Sequence, residues 1–145
     1  MKAAKYPFHV MVPGHPPRPM LPVRITNPAT GLFVDAWGLV DTGADDCALP
    51  TRYAAALGHN LKAGLVRLIG TGNGTTRAYA HTTRIDVLTL PRLSSPEKIA
   101  FTIPDTLIDF LPRLGCVLLG VRSFLSHFIL TINYPEQWFA IRQRA

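Results

Sequence analysis

The sequence predicts an all-β fold, mostly strand with two short helices, in a single domain. Its apolar residues run together briefly or alternate with polar ones, and clusters of proline, glycine and asparagine separate these segments. The two segments of helical composition are each only about two turns long. At 145 residues, with 48% hydrophobic and 17% charged residues, the chain can bury a proper core. We therefore expect one domain over residues 1–145, with an N-terminal strand and proline-rich loop over 1–22 and a core over 23–142.

The first part of the chain predicts a strand, a loop and a hairpin. Residues 6–12 have strand composition. Residues 13–22 predict a surface loop, because each of their prolines lacks an N–H and restricts the residue before it. Residues 23–26 and 32–40 alternate or run apolar on either side of "NPATG", whose residues favour a turn. These last two segments therefore predict a hairpin.

A short helix and a long hairpin follow. In the segment "RYAAALG", the preceding Thr51 can cap the first N–H groups of a helix, and Gly58 can end it. Residues 65–90 return to strand composition, with several glycines near their middle. This pattern predicts a long hairpin with a flexible tip.

The last part of the chain predicts a strand, a loop, a buried strand, a helix and a hairpin, over residues 98–104, 105–115, 116–120, 121–127 and 128–142. The segment "CVLLG" is wholly apolar, which is typical of a short strand buried on both faces. The proline of "YPEQ" occupies a turn position between "FILTIN" and "WFAIR". The architecture is therefore mostly β throughout.

Charge and hydropathy restrict the partners that we expect. The formal net charge is +6, but the 11 arginines and 4 lysines are scattered, which favours a solvated surface over a nucleic-acid site. The N-terminus has no apolar run of signal-peptide length, and no segment approaches the roughly 20 apolar residues that span a membrane. We therefore expect no nucleic-acid partner, no membrane partner and a cytoplasmic location.

The cysteines and histidines give little support for metal or redox chemistry. Cys47 and Cys116 form no disulfide framework, which favours a reducing compartment, and we expect both to be small buried residues. The five histidines show no H-E-x-x-H spacing and no paired C-x-x-C is present. We therefore expect neither a metal nor another cofactor.

One stretch, "GLVDTGADDCALP" at residues 38–50, carries the strongest chemical signal. Asp41, Asp45 and Asp46 follow directly after an apolar strand. An acidic turn that is merely solvated would have the same composition. The context is more specific, because a glycine-rich hairpin follows and a second apolar element, Leu118-Leu119-Gly120, precedes the last predicted helix.

This order of elements resembles that of the retroviral-type (retropepsin-like) aspartic proteases. The segment "LVDTGADD" is close to the viral form of their motif, whereas "LPTRYAAALG" is more similar to cellular and bacterial members. The similarity covers roughly residues 23–142. The resemblance implies a closed or partly open β-barrel that forms one lobe of an aspartic protease, with endopeptidase activity on polypeptides and no cofactor.

The chemistry that the resemblance implies requires a second copy of the chain. Two carboxylates must face one water, one to take its proton and one to protonate the substrate carbonyl oxygen. The chain has a single Asp-Thr-Gly triplet and room for one such lobe. We therefore expect a symmetric homodimer in which Asp41 of each subunit meets at the two-fold axis.

The resemblance also assigns roles to the neighbours of the catalytic Asp41. The Thr42 hydroxyl would bond across the dimer to the partner's backbone, Gly43 would let the backbone approach both the carboxylate and the substrate, and Ala44 would keep the cleft floor shallow. A flap would close over the substrate and exclude water. Its residues would be Gly70, Thr71, Gly72, Asn73 and Gly74.

The acids after the triplet are substrate contacts in the family, and the first of them also pairs with an arginine that follows a C-terminal glycine. In this sequence Gly120 is followed by Val121, and the arginine comes one place later at Arg122. The ion pair of Asp45 is therefore open. For Asp46, substrate contact and simple solvation are equally good interpretations.

Other interpretations remain at this point. The fold could be a catalytically inactive dimeric module that binds peptides, or a basic nucleic-acid-binding β-barrel in which "RAYAHTTR" is the best candidate stretch. The apolar residues Trp138, Phe139 and Ile141 could form part of a dimer sheet or simply pack in the core of one subunit.

Overall fold

The computed structural model describes residues 2–144 and consists mainly of β-strands. The strands are β1 (Ala3–Pro7), β2 (Met20–Thr26), β3 (Phe33–Val40), β4 (Ala48–Pro50), β5 (Leu65–Thr71), β6 (Gly74–Leu88), β7 (Ile99–Leu111), β8 (Val117–Leu119), β9 (Phe128–Asn133) and β10 (Trp138–Gln143). Within residues 2–144, helical structure is limited to α1 (Tyr53–Ala56) and the 3₁₀ turns Leu61–Ala63 and Leu125–His127. The predicted mostly β fold is confirmed.

Six of the strands close into a barrel. They are hydrogen-bonded in the order β2-β3-β8-β4-β7-β6, and β6 pairs back to β2 through Val23↔Val87 and Ile25↔Ile85. The strand β6 is long enough to do this and also to carry β5 as an antiparallel partner outside the ring. The pairs β3–β8 and β4–β7 are parallel, and the other pairs of neighbours in the barrel are antiparallel. Closure leaves the β5–β6 hairpin to project from the barrel wall.

The barrel interior is the hydrophobic core of the molecule. Side chains along β2 point alternately to the two faces of the sheet, and the inward-facing Leu21, Val23 and Ile25 are fully buried. They pack in one cluster with Phe110 of β7 and Leu119 of β8. Burial of these side chains is the main favourable contribution to folding.

The terminal strands form a separate sheet in the order β1-β10-β9. Phe139 and Ile141 of β10 are completely buried and belong to the main core cluster. The Phe139 ring stacks on that of Tyr6 from β1, with the ring centroids 5.6 Å apart. For these two residues of the last hairpin, the interpretation as core of one subunit is therefore confirmed.

The N-terminal predictions need correction. The first strand ends at Pro7, so the predicted strand over 6–12 is wrong after Pro7, and the side chains of residues 10–12 are exposed. The strand β2 begins at Met20, which makes the predicted loop over 13–22 wrong in its last three residues. Pro22 lies within β2 and pairs with Trp37 of β3. The pairing of β2 with β6, which closes the barrel, begins at the next residue, so the missing N–H of Pro22 does not interrupt it.

Two further elements differ from their predictions. The loop predicted over 105–115 is wrong as far as Leu111, because β7 continues to that residue and pairs with both β4 and β6. The predicted helix over 121–127 is reduced to a turn followed by the 3₁₀ turn Leu125–His127. Thr51 does not cap α1 with its side chain; its carbonyl oxygen accepts the Ala54 N–H at 3.1 Å.

Both cysteines are free in the part of the chain that the structure describes. Cys47 is completely buried, and burial raises the pKa of its thiol to about 11. The predicted burial is therefore confirmed for Cys47, whereas Cys116 is only partly buried. Among residues 2–144, no helix has the length and apolar character needed to cross a membrane.

Candidate active site

The Asp-Thr-Gly triplet lies in the loop that joins β3 to β4. The Asp41 N–H donates to the carbonyl oxygen of Leu119 at 3.1 Å, which continues the parallel pairing of β3 and β8 by one residue. The Gly43 N–H donates to Asp41 Oδ1 at 3.0 Å. Asp41 is partly buried, whereas Thr42 and Gly43 are exposed. The barrel wall therefore fixes the backbone of Asp41, and the loop fixes the orientation of its carboxylate.

The chain after β8 holds the rest of this loop. The Val121 N–H donates to the Ala44 carbonyl oxygen at 2.9 Å, and the Arg122 N–H donates to the Asp45 carbonyl oxygen at 2.7 Å. A methyl group on Gly120 would lie 2.3 Å from the Asp46 carbonyl oxygen, so this close approach of two backbones requires glycine. The apolar-apolar-glycine element and the acidic motif are thus one structural unit.

The two acids after the triplet have different environments. Arg122 Nη2 lies 2.8 Å from Asp46 Oδ2, whereas the Asp45 side chain is exposed and makes no ion pair within residues 2–144. In the family the arginine pairs with the acid at the position of Asp45, and the sequence left that pair open; in this structure the arginine pairs with Asp46. The arginine comes one place late after Gly120, and its partner is correspondingly one place late in the motif.

A cavity of about 580 Å³ lies between this loop and the β5–β6 hairpin. Seven of the residues singled out from the sequence line it: Asp41, Gly43, Ala44, Asp45, Asp46, Gly70 and Thr71. Its apolar lining includes Leu68, Ile69 and Leu118. Thr42 faces a neighbouring cleft of about 550 Å³, which Asp41 also lines. The structure therefore brings most of the predicted site residues to one cleft.

The tip of the hairpin lies beyond the cavity. Gly72, Asn73 and Gly74 are exposed and do not line it. The Thr71 hydroxyl donates to the Gly74 carbonyl oxygen at 3.0 Å, and Gly74 has a φ of +107°, which favours glycine. The hairpin predicted over 65–90 is confirmed, with its tip exposed.

Asp109 is an acidic residue of the cavity that was not predicted from the sequence. It lies on β7, in the segment that was predicted to be a loop, and it is only 3% exposed. Asp109 Oδ1 is 3.5 Å from Arg67 Nη1 but has no hydrogen-bond partner among the described residues. Burial raises the pKa of Asp109, and the Arg67 charge partly opposes this effect. The available signal in the sequence was an acid inside the apolar run "LIDFL".

Comparison with known proteins places the chain in a family. Among solved structures, it is similar to a retropepsin-like aspartic protease from Rickettsia conorii, with 24% sequence identity, 81% of this chain and 95% of that chain covered, and a TM-score of 0.49. No curated protein matches the sequence. The sequence profile of the aspartyl protease family matches residues 21–121, which include the whole acidic loop, the hairpin and β8. The chain therefore belongs to the aspartyl protease family.

Proposed function

We propose that the protein is an aspartic endopeptidase that acts as a homodimer, with one Asp41 from each subunit at the catalytic centre. The observation that carries this proposal is the Asp41 carboxylate, which accepts the Gly43 N–H and lines a cleft beneath a projecting hairpin, in a member of the aspartyl protease family. The cleft is large enough to receive a segment of extended peptide. Such a segment would add main-chain hydrogen bonds, and its side chains would enter pockets.

The reaction needs both carboxylates because each does a different task. Two carboxylates about 3 Å apart repel by roughly 5 kcal/mol at an effective dielectric constant near 20, so the pair shares one proton. The ionised member takes a proton from water as the water oxygen attacks the peptide carbonyl carbon, and the protonated member donates to the carbonyl oxygen. When the C–N bond breaks, the leaving amine takes the proton that the first carboxylate removed from water. A hydroxyl of the tetrahedral intermediate returns a proton to the second carboxylate, so the pair again holds one proton.

The neighbours of Asp41 have supporting roles in this proposal. Thr42 is exposed and lines the neighbouring cleft of about 550 Å³. There its hydroxyl can reach a second subunit. The exposed Asp45 is free to contact the substrate, and Asp46 is held by Arg122 beside it. Residues 70–74 act as the flap, which closes over the substrate before the chemical step. The free thiols of Cys47 and Cys116 are consistent with a reducing, cytoplasmic location.

The direct test is the Asp41→Asn variant, because asparagine keeps the shape of the side chain and removes its acid and base function. The matched control is Asp105→Asn, which makes the same change at an exposed position on β7. We expect the first variant to lose cleavage of a labelled, unfolded polypeptide and the second to keep it. Equal cleavage by the Asp41→Asn variant and the parent protein would overturn the proposal.

A further inference from the structure

Asp109 is a buried acid in the wall of the cavity, and it has no part in the proposed chemistry. Its side chain is 4% exposed, yet the residue lines the same cavity as Asp41. The residues opposite it on the neighbouring strands are both alanines, Ala48 on β4 and Ala80 on β6. Paired residues point to the same face of a sheet, and alanine is too short to cover the carboxylate. Neither alanine side chain therefore separates the Asp109 carboxylate from the cavity.

The hydrogen bonding of Asp109 is incomplete. Asp46, the other acid at this end of the cavity, accepts a hydrogen bond from Arg122 at 2.8 Å. The contact between Asp109 Oδ1 and Arg67 is longer, at 3.5 Å, and is not a hydrogen bond. A buried acceptor without a donor is costly, so a ligand that supplies a donor at this point gains more than it would at a satisfied group.

We propose that Asp109 is a specificity-determining residue that accepts a hydrogen bond from the basic side chain of a lysine or arginine in the peptide substrate. This inference rests on the proposed function and goes beyond it by naming a substrate class. The side chain would pass its methylene groups along Leu68, Ile69 and Leu111, which line the cavity, and place its charged end at Asp109. Such an arrangement matches the mixed character of the cavity wall.

The charge balance of the cavity favours a cation over other donors. Four carboxylates line it, those of Asp41, Asp45, Asp46 and Asp109, against the single guanidinium of Arg122. Arg67, 3.5 Å from Asp109, adds a second guanidinium, so among the described residues four carboxylates stand against two guanidiniums. A substrate carboxylate would meet repulsion here, and an amide would donate a hydrogen bond without bringing a positive charge of its own. A lysine or arginine gains both the hydrogen bond and the Coulomb attraction.

The test compares peptides that differ at one position. A positional-scanning peptide library with the parent protein identifies the position at which lysine most raises kcat/KM, and a matched peptide carries norleucine there. We expect Asp109→Asn to lower the ratio of kcat/KM for lysine to that for norleucine by about 10- to 100-fold, the range for a hydrogen bond between charged groups. Asp105→Asn, on the same strand but exposed, should leave the ratio unchanged.

A second variant separates recognition from a structural role. Arg67→Met removes a cation that competes with the substrate cation and that also lowers the pKa of Asp109. At a pH that keeps Asp109 ionised in both proteins, this variant should therefore raise the same ratio. If Asp109 only stabilises the fold, Asp109→Asn changes the melting temperature and leaves the ratio as it was. That result, or a parent protein with no preference for lysine or arginine at any position, would overturn the inference.

The outcome is distinguishable from failure of the proposed function. If Asp41→Asn abolishes cleavage but Asp109→Asn leaves the lysine preference intact, the protease assignment stands and the inference is wrong. If the protein cleaves no peptide, binding is measured by calorimetry instead. Peptide pairs that carry lysine or norleucine at one position, scanned over each position, are titrated into the parent protein and into Asp109→Asn. A loss of preferential lysine binding in Asp109→Asn then supports the subsite without the protease assignment, and equal preference in both overturns it.

Discussion

Replacement of Gly120 by alanine is a sharp test of how the acidic loop is held. The added methyl carbon would lie 2.3 Å from the Asp46 carbonyl oxygen, 2.4 Å from its carbonyl carbon and 2.9 Å from the Ala44 carbonyl oxygen. These are backbone atoms, so no side-chain rotation relieves the overlap. The two backbones must separate by about 1 Å to restore ordinary van der Waals contact.

The cost follows from the contacts that this separation strains. Overpacking of this kind costs about 1–3 kcal/mol. The hydrogen bonds from Val121 to Ala44, at 2.9 Å, and from Arg122 to Asp45, at 2.7 Å, contribute about 0.5–1.5 kcal/mol each. The free energy of unfolding should therefore fall by about 2–6 kcal/mol if both bonds are lost. Displacement of a catalytic loop by this distance should lower kcat/KM by about 100-fold.

Urea unfolding and peptide cleavage measure the two effects, with Gly115→Ala as the control. A methyl group on Gly115 meets no atom within 4 Å, so this substitution should change the free energy of unfolding by less than about 1 kcal/mol. If Gly120→Ala unfolds at the same urea concentration as Gly115→Ala and cleaves peptide as fast, the close approach of β8 to the acidic loop does not support the site.

Two further predictions concern stability away from the cleft. Tyr6→Phe removes the buried hydrogen bond from the Tyr6 hydroxyl to the Leu88 carbonyl oxygen, 2.9 Å long, and should lower the free energy of unfolding by about 1–2 kcal/mol in urea, with an unchanged denaturant slope; no loss would contradict this account. Burial lowers the pKa of His59, and the charge of His81 lowers it further. Below about pH 6.5 the unfolded state therefore binds a proton at His59 more readily than the folded state does. Stability should therefore fall as pH decreases through that interval, and by less in His59→Gln, in urea unfolding at about pH 8 and about pH 5; an equal fall in both proteins would contradict the assignment.

The sequence predicted the hairpins and the acidic loop well, because their signals are local. The turn "NPATG" and the glycines near Gly72 separate segments with clear strand composition. The Asp-Thr-Gly triplet is specific because a strand precedes it. The later glycine element at Gly120 could be recognised because an apolar strand precedes it as well. The close contact of its backbone with the acidic loop could not be predicted from the sequence.

The features that the sequence did not predict depend on contacts between distant segments. The strand β7 was interrupted in the prediction at Pro104 and Asp105, but pairing with both β4 and β6 overrides these weak local signals. The burial of Asp109 depends on its place in the barrel wall and on Arg67 from another strand. The pairing of Arg122 with Asp46 likewise depends on how the chain turns after β8. None of these contacts leaves a periodic pattern.

A mixing experiment tests whether Asp41 from two copies of the chain forms one catalytic centre. Parent protein and the Asp41→Asn variant are mixed at constant total concentration, allowed to exchange subunits, and assayed for peptide cleavage across a range of parent fractions. Because a mixed dimer has one carboxylate, activity should follow the square of the parent fraction, which leaves about one quarter of the activity at an equal mixture. A linear dependence, with about half of the activity remaining at an equal mixture, would show that each chain works alone and would contradict the account.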